Sequence, residues 1–224
     1  MSIAQDDAQS NGRPLLEVGR HRILAEAQAV AAMVNAMDDH FLAALHLIES
    51  RQGKVLVSGA GTSAAVARRM AHLLAVTGTA ALYLDPGEAI HGSLGAVEPG
   101  DVLIAISKNG GSAEVNTMAE RAVGRGAALL VLTSDPDSPL AKLATLAITL
   151  ALPEDSDLGD IIAMGSTLAV SAWGDALAAT LMEQRSYSWR DVLYTHPAGA
   201  VGQRKAPDGS SPRSESSVNV DQGA

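Results

Sequence analysis

Apolar positions in the first quarter of the chain recur at helical spacing. Ile23, Ala27, Val30, Val34 and Met37 share one stripe, and Phe41, Leu42, Leu45 and Ile48 continue it. This pattern predicts one long helix, or two in tandem, between Leu15 and Glu49, ending near Gln52-Gly53. Beyond that point short apolar runs rich in Val, Leu and Ile alternate with helical stretches. Strands are expected over 54–58, 80–84, 101–107, 127–133 and 144–150. Helices are expected over 62–77, 112–125, about 160–184 and 188–194, with a loop or short helix over 87–95 and a helical turn over 138–143. Unbroken apolar runs suit strands covered on both faces. Their alternation with helices implies parallel pairing and right-handed crossovers. The expected fold class is therefore α/β: a three-layer, doubly wound, five-stranded parallel sheet of flavodoxin type, with helices on both faces.

Domain organisation follows from the same pattern. Residues 1–14 are polar and contain Asn11-Gly12 and Pro14, so they read as a flexible start. Residues 15–205 read as one domain. From Ala206 to Ala224 the chain is rich in Ser, Pro, Gly and Asp and reads as a disordered tail. Only 3% of the 224 residues are aromatic while 47% are hydrophobic, which favours small-residue helices packed closely on a sheet. The net charge of −9 gives no general attraction to nucleic acid or to anionic membranes. An anionic ligand therefore needs a local positive site. The absence of cysteine excludes disulfides and thiol chemistry. No apolar run reaches the roughly 20 residues of a membrane span, and the acidic, polar start is unlike a signal peptide. A cytoplasmic protein without nucleic-acid or membrane partners is expected.

In such a sheet ligands gather where strands end, and loops 59–63, 85–95 and 107–114 follow expected strands. In Ser58-Gly59-Ala60-Gly61-Thr62-Ser63 the glycines permit a tight turn, and Thr62 or Ser63 can cap the helix that follows. Free N–H groups and the helix dipole there suit an anion such as phosphate. Ser107-Lys108-Asn109-Gly110-Gly111-Ser112 forms a second cradle of the same kind, with Lys108 adding a full positive charge from an exposed position. Each loop also fits a plain strand-to-helix turn. A looser dinucleotide reading, with Asp85 as the ribose acid, remains open, although the second cradle argues for a smaller phosphate ligand. His91 and His196 lie in shaped loops, where a histidine can carry a proton. Glu154 follows a strand and is a candidate base, or simply part of a solvated acidic loop. Met164-Gly165-Ser166-Thr167 is a hydroxyl-rich helix start. His21, His40, His46 and His72 fall within helical patterns and carry no role. No metal-ligand spacing is present, and no cofactor is implied.

These motifs together resemble the sugar isomerase (SIS) domain family, and within it the arabinose 5-phosphate isomerases. The resemblance runs from about residue 20 to 205 and does not extend to the family's CBS domains. It rests on Ser58–Ser63, on Asp85-Pro86-Gly87-Glu88-Ala89-Ile90-His91-Gly92-Ser93-Leu94-Gly95, on Ile106–Glu114, on Thr133–Ala141, and on His196-Pro197-Ala198-Gly199-Ala200-Val201-Gly202. It implies a sugar-phosphate ligand, no metal, and a homotetramer with sites between subunits. It places substrate and phosphate contacts at Gly61, Thr62, Ser63, Ser107, Lys108, Asn109, Ser112, Ser166 and Thr167. It places acid/base roles at His91, Glu114, Glu154 and His196. The chain departs from the family where Thr62 replaces the usual Lys and where Lys108 replaces an Asn. The implied reaction is aldose–ketose isomerisation of a phosphorylated sugar through an enediol, as between arabinose 5-phosphate and ribulose 5-phosphate. The alternatives are an isomerase of another sugar phosphate, such as 3-hexulose 6-phosphate or an amino-sugar phosphate, or a non-catalytic sugar-phosphate sensor.

Because no metal-ligand spacing is present, isomerase turnover is expected to survive dialysis against a strong chelator. Activity lost to the chelator and restored by one added metal would contradict this.

Overall fold

A computed structural model describes residues 3–198, 200 and 202–205. Residues 206–224, read above as a disordered tail, lie outside the described residues, as do Gly199 and Val201 of the final motif. Helix α1 (Ile3–Ala32) and helix α2 (Asp39–Glu49) are joined by a 3-10 turn at Met33–Ala36, so the N-terminal pattern forms two helices in tandem. Asp38 sets the start of α2, its carboxylate accepting the N–H groups of His40 and Phe41. Helix α1 begins at Ile3 and contains Pro14, whereas the sequence predicts a flexible start over 1–14. The polar composition that suggests flexibility is also compatible with an exposed helix.

Strands and helices then alternate as the apolar pattern predicts: β1 (Val55–Gly59), α3 (Thr62–Val76), β2 (Ala81–Tyr83), α4 (Pro86–Ile90), β3 (Val102–Ile106), α5 (Ala113–Gly124), β4 (Ala128–Thr133), α6 (Pro139–Leu143), β5 (Leu146–Thr149), α7 (Gly165–Gln184) and α8 (Trp189–Tyr194). All strand pairs are parallel, in the order β2-β1-β3-β4-β5. Side chains alternate between faces along each strand. Val55, Val57, Ile104 and Leu132 pack with α1, α2, α3 and α7, around Trp173 and Phe41. Leu56, Leu103, Ala105 and Val131 pack on the opposite face with Val115, Met118 and Leu140 of α5 and α6. The result is the expected three-layer α/β architecture.

Helix α7 starts five residues later than the pattern suggests. Residues 160–164 belong to a loop in which Asp160 has φ 56°. The Gly165 N–H donates to Ser156 O at 2.9 Å and stops the helix from extending backwards.

At the opposite, N-terminal edge of the sheet, the buried Asp101 carboxylate accepts the Lys54 N–H, the Lys54 ammonium and the Glu98 N–H, each at 2.8 Å. It ties the entry of β1 to the entry of β3. Burial raises the Asp101 pKa, but the Lys54 bond and the backbone N–H groups outweigh that and hold it below the ordinary value. Replacing Asp101 with Ala is expected to cost about 3 kcal/mol, because it leaves these donors without their acceptor. Urea denaturation of both proteins tests this; a loss within about 0.5 kcal/mol, the range of ordinary surface substitutions, would show that Asp101 does not hold the strands.

Candidate functional site

The strand order reverses at β1, so the carboxyl ends of β1 and β3 flank the switch point. Gly59 pairs with Ile106 in the register, which sets the loop after β1 beside residues 107–112. Glycine eases this approach: a Cβ at Gly59 would lie 3.0 Å from the Ile106 carbonyl oxygen and from the Ser63 backbone, and these would have to give way. The N-cap of α3 is Gly61, with φ 58° and no side-chain cap. Thr62 and Ser63, expected as caps, instead lie within the first turn, because the helix begins one residue earlier than a capping role requires. Ser112 is the N-cap of α5, and its side chain makes no capping bond. The opening N–H groups of both helices thus lack side-chain acceptors, and both dipoles present their positive ends here.

The loop after β3 is held rigidly from behind. The Gly110 N–H donates to Ser107 O at 3.2 Å, and Asn116 Nδ2 donates to Gly110 O at 3.1 Å. The Lys108 carbonyl accepts the Ser134 N–H at 2.8 Å and the Thr133 hydroxyl at 2.9 Å. Gly110 has φ 58°, and a Cβ there would collide with the Ser138 hydroxyl.

Lys108 is not the free cation that the sequence suggests. Its side chain is 26% exposed, and its ammonium lies 2.9 Å from Asp157 Oδ2 and 2.5 Å from Asp160 Oδ1. Burial lowers its pKa, but the two carboxylates more than reverse this and leave it raised. Asp157 is the buried member of the cluster, with its side chain only 2% exposed. Its Oδ1 accepts the Met164 N–H at 2.7 Å and the Ser166 N–H at 3.0 Å, at the start of α7. Burial raises the Asp157 pKa, yet Lys108 and the Ser166 and Met164 donors prevail and bring it to about 2. Neither Asp157 nor Asp160 stands out in the sequence, because their partner lies about fifty residues away.

Two adjoining cavities bring the candidate residues together. A cavity of about 650 Å³ is lined by Lys108, Asn109, Ser134, Glu154, Asp157 and Asp160, among others. A smaller one, of about 20 Å³, is lined by Ser63, Lys108, Ser134, Ser166 and Thr167 over an apolar floor that includes Ile106 and Leu132. The remaining candidates do not line these walls. His91 and Glu114 are exposed, at the end of α4 and the start of α5. Ser107 is buried at the end of β3, and Gly61, Thr62 and Ser112 lie in the cradles just described. His196 follows α8, with Nδ1 2.6 Å from Val192 O. A carbonyl only accepts, so Nδ1 carries a proton in this contact and Nε2 is left without a partner among the described residues.

Asp85 is fully occupied. It caps α4 through the Gly87 and Glu88 N–H groups, accepts the Tyr83 hydroxyl at 3.1 Å, and lies 3.6 Å from Arg68. Those bonds account for it without a ribose and leave the dinucleotide reading unsupported.

The family model of the SIS domain matches residues 47–179, which contain both cradles and both cavities. The chain belongs to the SIS domain family. It is 35% identical over 190 residues to the arabinose 5-phosphate isomerase GutQ of Salmonella typhi, a match covering 85% of this chain and 59% of that protein. It is 34% identical over 179 residues to the arabinose 5-phosphate isomerase KdsD of Pseudomonas aeruginosa, covering 80% and 55%. The chain thus spans somewhat more than half the length of these curated relatives. Among solved structures, Escherichia coli CFT073 c3406 in complex with arabinose 5-phosphate superposes with a TM-score of 0.78 at 30% identity, covering 83% of this chain and 98% of that one.

The depressed pKa of Asp157 fixes a pH dependence. A carboxylate held at about 2 adds stability that is complete above the unfolded value near 3.9 and is lost as pH falls through about 2. Between pH 5 and 2 the wild type is expected to lose about 2 kcal/mol more unfolding free energy than Asp157→Asn. Urea titrations across that range test it; parallel slopes for the two proteins would show that Asp157 is not held in its charged form.

Proposed function

We propose that this chain is an aldose–ketose isomerase of a phosphorylated sugar, of the arabinose 5-phosphate/ribulose 5-phosphate type. One observation carries the reading: two uncapped helix starts converge at the sheet's switch point, beside a carboxylate-bearing cavity large enough for a sugar. The phosphate binds to the N–H groups and hydroxyls of residues 107–112, with Ser63 alongside. Lys108, within that loop, supplies the full charge that Thr62 lacks, after exchanging Asp157 and Asp160 for the phosphate. That exchange corrects the view of Lys108 as an exposed group: its removal leaves the buried Asp157 unpaired, so it affects stability as well as binding.

The sugar then extends along the wall bearing Glu154. The Glu154 carboxylate takes the proton from C2 of the open-chain aldose, while a histidine nitrogen accepts the proton of the C2 hydroxyl and passes it to the C1 oxygen, giving the enediol in its singly ionised form. The carboxylate then returns its proton to C1, C2 becomes the carbonyl carbon, and the ketose forms with both protons accounted for. His196 suits the oxygen-directed role through its free Nε2. His91, Glu114 and His196 stand away from the cavity walls of their own chain, which fits a homo-oligomer, a tetramer, in which sites form between subunits. The exposed Leu15, Leu16, Val18, Ile23 and Leu24 of α1 supply apolar surface for such contacts. No metal enters this scheme.

A second substrate class is favoured by the cavity's charge. Glu154, Asp155, Asp157 and Asp160 all line it, and an amino-sugar phosphate would set its ammonium against them. A panel of pentose, hexose and amino-hexose phosphates, assayed for ketose formation, distinguishes the two. One member is expected to turn over, and Glu154→Gln is expected to lower kcat about 100- to 10,000-fold with little change in KM. No turnover of any member, or an unchanged kcat in Glu154→Gln, would overturn the proposal.

A further inference from the structure

Most hydroxyls around the two cavities are already committed. Thr133 donates to Lys108 O, Ser138 to Asp135 O, Ser156 to Pro153 O, Thr167 to Met164 O and Ser171 to Thr167 O. Ser134 and Ser166 differ. Each has a hydroxyl oxygen shielded from solvent; that of Ser134 has no hydrogen-bond partner among the described residues, and that of Ser166 lies beside the Asp157 carboxylate, which it helps to keep charged. Both line the smaller cavity, together with Ser63, Lys108 and Thr167. A shielded hydroxyl without a partner is unfavourable, and it is retained where a ligand or a water completes it. The cavity itself, at about 20 Å³, has room for one oxygen-sized group.

Ser134 has a further distinction. It lines the larger cavity as well as the smaller one, so it stands where the two adjoin. Its position is fixed, because its N–H donates to Lys108 O at 2.8 Å and locks the end of β4 onto the back of the 107–112 loop. Besides Lys108 and Asn109 of that loop, the larger cavity is bordered by Glu154, Asp157 and Asp160. Those carboxylates repel a phosphate dianion and tolerate a neutral hydroxyl. A ligand anchored by its phosphate at 107–112 therefore passes Ser134 with its sugar, not with its phosphate.

We propose that Ser134 is a substrate-binding residue that reads the sugar: its hydroxyl, with that of Ser166, holds one sugar oxygen at the mouth of the smaller cavity. This rests on the sugar-phosphate reading above and adds a group that reading does not use. Because Ser134 makes no side-chain bond in the free protein, losing its hydroxyl costs no internal contact.

The test is calorimetric binding of arabinose 5-phosphate, fructose 6-phosphate, glucosamine 6-phosphate and inorganic phosphate to wild type and Ser134→Ala, with Tm measured alongside. Ser134→Ala is expected to weaken the tightest sugar phosphate by about 5- to 20-fold, to leave inorganic phosphate within about twofold, and to keep Tm or raise it. Equal weakening of sugar phosphate and inorganic phosphate would overturn the proposal and make Ser134 a phosphate ligand. Unchanged sugar-phosphate affinity, or weakening accompanied by a lower Tm, would overturn it as well while leaving the proposed function standing. Wild-type protein that binds inorganic phosphate but no sugar phosphate would overturn both together.

Discussion

Everything at this site depends on the parallel pairing of β1 with β3 at the centre of the sheet. Parallel strands end on the same side, so their loops and the helices that follow all start there. The reversal of strand order at β1 keeps a crossover from covering the gap. The pairing of Gly59 with Ile106 then fixes how closely the two helix starts approach. A side chain larger than glycine at position 59 would push the Ser63 turn away from the β3 carbonyl and separate the cradles. Asp101 performs the matching task at the other end of the same pair, so the register is held at both entry and exit.

A second theme is competition for positive charge. A chain of net charge −9 carries one lysine in its candidate phosphate loop, and in the free protein that lysine already serves two aspartates. One of them, Asp157, also occupies the N-terminus of α7, the position that an anionic ligand would otherwise favour. The arrangement keeps Lys108 ordered and stops the acidic loop from repelling itself. It also means that any anion binding here must be preferred over an internal one. Ligand affinity is then a difference between two electrostatic states of similar kind.

The layers of the fold were legible because each central strand is an apolar run and the longer crossover helices, α3 and α5, carry an apolar stripe. The 102–106 run ending in Ser107 and the 55–58 run ending in glycine placed both strand-to-helix loops. What failed was local detail set by distant partners. The start of α7 is decided by Ser156 and Asp157, not by periodicity around Asp160. Lys108 read as solvent-exposed because its two aspartates lie in a loop that looks merely acidic. Ser134 was passed over since a serine after a strand is ordinary. Only the bonding of its neighbours shows that its hydroxyl is spare. His91 and His196 stayed undecided for a related reason: neither lines the two cavities.

The sheet order has a consequence for how the protein is made. Each strand pair closes a long loop, since the partners are separated by a whole helix or more, and such topologies fold slowly. The cavity walls draw on residues from Ser63 to Thr167, so a nascent chain holds both cradles well before α7 arrives to finish them. Until then Lys108 has no Asp157, and the apolar face of β1, β3 and β4 has no Trp173 to cover it. During synthesis the emerging half-sheet thus carries an uncovered apolar face and a lysine without its aspartates, a state suited to capture by a chaperone. Arrival of α7 ends the hazard and completes the site in the same event.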